Sequence, residues 1–113
     1  MSKYWQEQRA ERQALLECEL ERIVLVLRQM GAQRVILFGS VARERVGAWS
    51  DLDLIVVLDS DLPFIKRLGL LYEQIRPRVG LDLLAYTPRE FEALRERSFI
   101  RQALQEGKVL YET

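Results

Sequence analysis

The sequence predicts an α/β (α+β) fold, a small mixed β-sheet with helices packed on it. Three observations carry this. The apolar runs "RVILF", "LDLIVVL" and "VGLDLLAY" are short and bounded by turn residues, which reads as buried strands. Segments with helical spacing or helix caps alternate with them, the order expected of a sheet covered by helices. A chain of 113 residues with 49 % apolar content is long enough for one real core, so 1–113 is read as a single domain.

Residues 5–30 read as a long helix, with Leu16, Leu20, Ile23, Leu27 and Met30 at four-three spacing and Gly31 as its stop. That stripe is core packing by default and a partner-helix groove as the minority reading. Cys18 is expected to be a small core residue, and Tyr4 and Trp5 to be exposed aromatics. "RVILF" is the first strand and ends at Gly39. "SVARERV" follows as a short helix with Ser40 at its N-cap. "LDLIVVL" is the second strand. "SDLP" then starts a helix running to about Arg78, with Pro63 in its first turn. "VGLDLLAY" is the third strand. Thr87 to Glu90 form a capping box with Pro88 at the first helical position. A broken helical segment leads to Gly107, with Leu94, Phe99, Ile100 and Leu104 packed beneath it, and "KVLYE" closes as an edge strand. The crossover after Leu58 is long and the Gly39-to-Asp51 connection is short, so the sheet is expected to be mixed.

Composition narrows the function classes. Seventeen basic and seventeen acidic residues balance, which gives no electrostatic push toward DNA or RNA. No window approaches a membrane span, and "MSKYWQEQRAERQ" lacks the apolar region of a secretory signal. A lone cysteine suits a reducing cytoplasm. The chain has no histidine, which removes Ser-His-Asp and Cys-His catalysis and every His-dependent zinc site. A metal here must be held by carboxylates, favouring Mg2+ or Mn2+.

The stretch "LFGSVARERVGAWSDLDLIVVLD" concentrates the remaining chemistry. Side chains alternate along a strand, so Asp51 and Asp53 project from one face about 7 Å apart. Asp82 lies in the next predicted strand and would join them if the two strands are neighbours. Two like charges about 4 Å apart repel by roughly 4 kcal/mol at an effective dielectric of 20, so three together need protonation or a cation. Gly39 permits a tight turn and a close ligand approach, and the helix start with Ser40 offers N–H and hydroxyl donors to an anion. Each piece alone has a bland reading, a common turn or an exposed strand edge. In order and at this spacing they suit phosphoryl or nucleotidyl transfer. Neither a Walker loop nor G-x-G-x-x-G is present.

"FGSVARERVGAWSDLDLIVV" closely resembles the signature of the DNA polymerase β-like nucleotidyltransferase superfamily: Gly-Ser, ten residues, then Asp-x-Asp. The Ala42-Arg43 pair and Ser50 match its minimal nucleotidyltransferase (MNT) branch. The resemblance implies a polymerase β palm-like fold in which Asp51, Asp53 and Asp82 are the catalytic set and bind two Mg2+ ions. It implies that Gly39 and Ser40 hold a nucleoside triphosphate, ATP by preference, with Arg43 and, more weakly, Lys66 as phosphate candidates. Surface pairing with a glutamate is an equal reading for Arg43, and a solvated lysine the default for Lys66. Many relatives have glycine where Glu44 stands, a departure that bears on the local turn. Larger relatives carry acceptor-binding domains for which 113 residues leave no room. Minimal members are paired with a helical HEPN toxin, and some transfer AMP to it. The resemblance therefore implies an antitoxin that adenylylates a HEPN partner, with a homo-oligomer left open. The alternatives are a vestigial antitoxin acting by binding alone and an antibiotic nucleotidyltransferase. Trp49 is read as packing on the sheet edge, with base stacking as its second reading.

Overall fold

The computed structural model describes residues 3–44 and 51–113. The end of the expected "SVARERV" helix, Trp49 and Ser50 lie outside the described residues.

The long helix α1 spans Lys3–Gln29. Leu16, Ile23 and Leu27 are buried along it, and Leu20 and Met30 pack partly buried against the same core. Gly31, with φ of +95°, turns the chain as the stop requires. Tyr4 and Trp5 are exposed and meet edge to face at 5.4 Å between ring centres.

Cys18 corrects the expectation, because it is exposed and Glu19 is buried instead. Helical geometry explains the exchange. Glu19 lies three residues after Leu16 and four before Ile23, on the buried stripe, whereas Cys18 falls beside it. Burying a carboxylate requires partners. Arg22 donates to Glu19 from Nε at 2.8 Å and from Nη2 at 2.9 Å, and the Arg78 N–H adds a third bond at 2.9 Å. These donors, the Arg22 hydrogen bond foremost, outweigh burial and hold the Glu19 carboxyl down to about 2.

Strand β1 is Arg34–Phe38, β2 Leu52–Val57, β3 Leu81–Tyr86 and β4 Lys108–Glu112. Their spatial order is β3-β2-β1-β4. The pairs β1–β2 and β1–β4 are antiparallel and β2–β3 is parallel, the mixed sheet expected. Between the strands lie α2 (Gly39–Ala42), α3 (Phe64–Ile75), α4 (Pro88–Leu94) and α5 (Ser98–Glu106). Leu52, Leu54, Val56 and Leu83 face a core built with Leu16, Ile23, Leu71 and Ile75. Ile36, Ile55 and Val57 face a second cluster with Phe91, Ile100 and Ala103. Both faces of the sheet are thus covered, which is why the strands read as unbroken apolar runs.

Several boundaries differ from expectation. Ser40 lies inside α2, and Phe38 occupies the N-cap position. Pro63 is the N-cap of α3 rather than part of its first turn. That helix stops at Ile75, not near Arg78, because Arg76 turns left-handed with φ of +47°. Arg22 then takes up the stranded carbonyls, donating to Ile75 O at 2.8 Å and Arg76 O at 3.3 Å. Phe99 is 60 % exposed, although its ring meets Phe38 edge to face, while Ile100 is buried and Leu94 and Leu104 pack as expected. The Thr87–Glu90 capping box is present, with Pro88 at the first turn.

The outer edge of β3 is served by side chains of α3. Leu52 N–H donates to Gly80 O and Leu58 N–H to Tyr86 O, so the alternate residues Leu81, Leu83 and Ala85 turn their backbone groups outward. Tyr72 OH donates to Leu81 O at 2.7 Å and accepts from Leu83 N–H at 3.1 Å. Arg67, buried, donates to Ala85 O at 2.8 Å and forks onto both Glu90 oxygens at 2.6 and 3.3 Å. Two side chains of a helix stand where a fifth strand would be.

Candidate active site

Strand direction assembles the site. β1 runs toward Gly39, while β2 and β3 both start beside it, so one end of the sheet collects three predicted site segments. Phe38, the residue before Gly39, is opposite Asp53, and Asp53 is beside Asp82. In parallel neighbours the paired side chains share a face, so the Asp53 and Asp82 carboxyls come together. Asp53 is half-buried. Burial first, then a hydrogen bond with Asp82 and the charges of Asp82 and Asp51, push its carboxyl up to about 6.

Asp51 precedes β2, is exposed, and lies level with Gly80, whose carbonyl receives the Leu52 N–H at 3.0 Å. An Arg12 Nη2 from α1 approaches its Oδ1 at 3.6 Å. The Arg12 side chain is 21 % exposed and that of Asp51 54 %, so water screens the pair from the Asp51 side.

Two glycines make the space for these carboxylates. Gly39 has φ of +74°, and a Cβ there would run into the Asp53 carboxylate. A Cβ on Gly80 would run into the Asp51 carboxylate. Gly80 and Arg12 were not singled out from the sequence. Gly80 had one signal, its place two residues before Asp82, which acquires meaning only once β2 and β3 pair in parallel. Arg12 had none, being one of several cations on the polar side of a helix.

Among the described residues, no three carboxylates lie close enough to enclose a metal ion. The convergence expected of Asp51, Asp53 and Asp82 is therefore present as the Asp53–Asp82 pair, with Asp51 at the same end of the sheet beside Arg12. The donor chemistry nonetheless suits a hard divalent cation. The donors are carboxylate oxygens, and their mutual repulsion is what such an ion relieves.

Ser40 is half-buried in the four-residue α2. Arg43 caps that helix and points its Nη1 at Glu106 Oε2, 3.5 Å away, the surface pairing weighed equally with a phosphate role. Lys66 is exposed on α3. Glu44, where the resemblance led to an expectation of glycine, has φ of +60°, a left-handed backbone that glycine would adopt without strain. A cavity of about 860 Å3 lies on the other side of β1, with Leu16, Leu20, Leu37, Val41 and Leu110 among its lining and no aspartate. Arg9, Gln13, Glu17, Glu44 and Lys108 complete the lining, so the walls are as polar as they are apolar.

The Tyr72 hydroxyl has its pKa raised, by burial first and by the Asp82 charge as well, against the Leu83 N–H bond that lowers it.

Known proteins share the domain family and the fold. A family model described as Nucleotidyltransferase domain matches residues 18–112. A search of curated proteins finds no match. Among solved structures, a protein from Sulfolobus solfataricus described as a nucleotidyltransferase shares the fold, with a TM-score of 0.58 over 99 % of this chain and 90 % of that one, at 16 % identity. A toxin–antitoxin complex with AMP-PNP is 27 % identical over 82 % of this chain and 73 % of that one, TM-score 0.57. A Shewanella oneidensis complex of tri-AMPylated HEPN toxin with MNT antitoxin is 25 % identical over 87 % and 73 %, TM-score 0.52.

Proposed function

Since the chain belongs to the nucleotidyltransferase domain family, we propose that it moves AMP from ATP to a hydroxyl of a HEPN-type partner protein, as the antitoxin of a toxin–antitoxin pair. The observation that carries this reading is the row Gly39, Asp53, Asp82 at one end of the sheet, with Asp51 beside it. Similarity to the AMP-PNP-bound and AMPylated complexes supports the choice of nucleotide and of partner.

In the proposed reaction the acceptor hydroxyl oxygen bonds to the α-phosphorus of ATP, and the bond from that phosphorus to the bridging oxygen breaks, releasing pyrophosphate. Asp82 accepts the hydroxyl proton. Asp51 and Asp53, joined by Asp82, would hold Mg2+, which when bound supplies charge neutralisation at the phosphates and makes the hydroxyl easier to deprotonate. Gly39, by lacking a side chain, leaves Asp53 its position, and Ser40 offers its hydroxyl to the triphosphate. The acceptor comes from the partner.

A second reading is an antitoxin that works by covering its toxin. The exposed N-terminal half of α1, with Tyr4, Trp5 and Leu15 open to solvent, favours it. One assay separates the two. The purified chain is mixed with Mg2+, α-labelled ATP and the product of the adjacent gene, with Asp53→Asn in parallel. Label on the partner with wild type and none with Asp53→Asn is the expected result. A stable complex with no label from either protein would discard the transferase reading and leave the binding one.

A further inference from the structure

We propose that Tyr72 is a positioning residue for Asp82, locking the segment of β3 that presents this carboxylate. The inference rests on the reading of Asp82 as part of the metal and catalytic set. It begins with an edge. β3 has a strand neighbour on one side, so each outward backbone group there needs a partner other than a strand. One hydroxyl serves two of them. Tyr72 OH donates to Leu81 O at 2.7 Å and accepts from Leu83 N–H at 3.1 Å, the residues immediately before and after Asp82.

A hydroxyl bridging positions 81 and 83 restrains the peptide units on both sides of residue 82. It thereby restrains the direction in which the Asp82 Cβ leaves the backbone. On the other side Asp53 is in register with Asp82, so the strand is gripped from both flanks at this residue. The anchor is itself rigid. Tyr72 stands on α3 one residue after the fully buried Leu71, in a helix whose last turn is bracketed by Arg22 and, through Arg78, by Glu19. No contact of Tyr72 with substrate is required. Its action passes through the backbone, as the outer partners of metal ligands act by orienting them.

Tyr72→Phe keeps the ring and removes both bonds. Binding of Mn2+ alone is measured by electron paramagnetic resonance on wild type, Tyr72→Phe and Asp82→Asn, at a temperature where thermal melting shows all three folded. The expected result is that Asp82→Asn weakens Mn2+ binding and that Tyr72→Phe weakens it in the same direction, on the order of tenfold. In the label-transfer assay Tyr72→Phe should lower kcat by a similar factor with KM for ATP unchanged, since it does not touch the segments assigned to the nucleotide. Tyr72→Phe that melts lower yet binds Mn2+ like wild type, while Asp82→Asn does not, overturns the proposal and leaves the reading of Asp82 intact. Asp82→Asn that binds Mn2+ like wild type overturns both.

Discussion

Strands β3 and β4 are the two edges of one sheet, and they are finished by different means. At β3, side chains of α3 occupy the outward backbone groups: the half-buried Tyr72 at Leu81 and Leu83, the buried Arg67 at Ala85. At β4 the finish is local to the strand. The register with β1 shifts between Val35 and Ile36, leaving Leu110 as the extra residue of a bulge. Charges sit at its ends, Lys108 with Glu44 at 3.3 Å and Glu112 with Arg34 at 3.0 Å, and Val109 is 58 % exposed. Bulges and terminal charges blunt an edge without fixing it. The difference follows the chemistry. β3 carries Asp82, a member of the proposed catalytic set, and β4 carries no residue assigned to the site.

The comparison breaks first at Glu90. Glu90→Ala strips the counter-charge from the buried Arg67 guanidinium and half of the capping box, so urea unfolding should show a loss of about 2–3 kcal/mol. A loss no larger than at β4 would remove Arg67 from the account of this edge. Acid attacks the same region. The Glu19 carboxyl is depressed, so its stabilisation is full above its ordinary unfolded value and is lost as pH falls toward about 2. Wild type should therefore lose stability steeply on acidification from about pH 4.5 downward. Glu19→Gln should start weaker at neutral pH and show a flatter acid limb in the same melting series.

Two smaller effects test the other edge. Glu44→Gly relieves a left-handed backbone at φ of +60° and gives up only an exposed ion pair to Lys108, so melting should rise by about 1 kcal/mol equivalent. A fall would mean that this ion pair outweighs the backbone strain. Val109→Thr, at an exposed site on β4, should change stability by less than about 0.5 kcal/mol, and a larger loss would show that β4 is held more tightly than its exposure indicates.

The strands were legible because helices cover both faces of the sheet, so burial wrote itself into the chain as apolar runs. The Thr87–Glu90 box was legible because its hydrogen bonds span three residues. The mixed sheet followed from one short and one long connection. What escaped was set by distant partners. A glutamate followed three residues later by arginine looks like a solvated pair, yet Glu19 is buried because Arg22 and the Arg78 amide arrive together. Pro63 and Arg76 fixed the ends of α3 one to three residues from the expected places, where the chain turns rather than where the pattern fades. In the site, the aspartates and Gly39 were visible as a motif. Gly80 and Tyr72 were not, since the first matters through the parallel register and the second through two backbone groups of a strand.

Gly39 and Gly80 give the site an evolutionary fragility. Each is defined by atoms that are missing, and every single-base change from a glycine codon that yields another amino acid adds a side chain. Such a change displaces one aspartate at the end of the sheet while leaving the two apolar cores, the α3 brace and the surface of α1 untouched. On the proposed reading, an antitoxin that modifies its partner stands one nucleotide from an antitoxin that only binds it. Selection on such a pair can move between the two modes without rebuilding the fold.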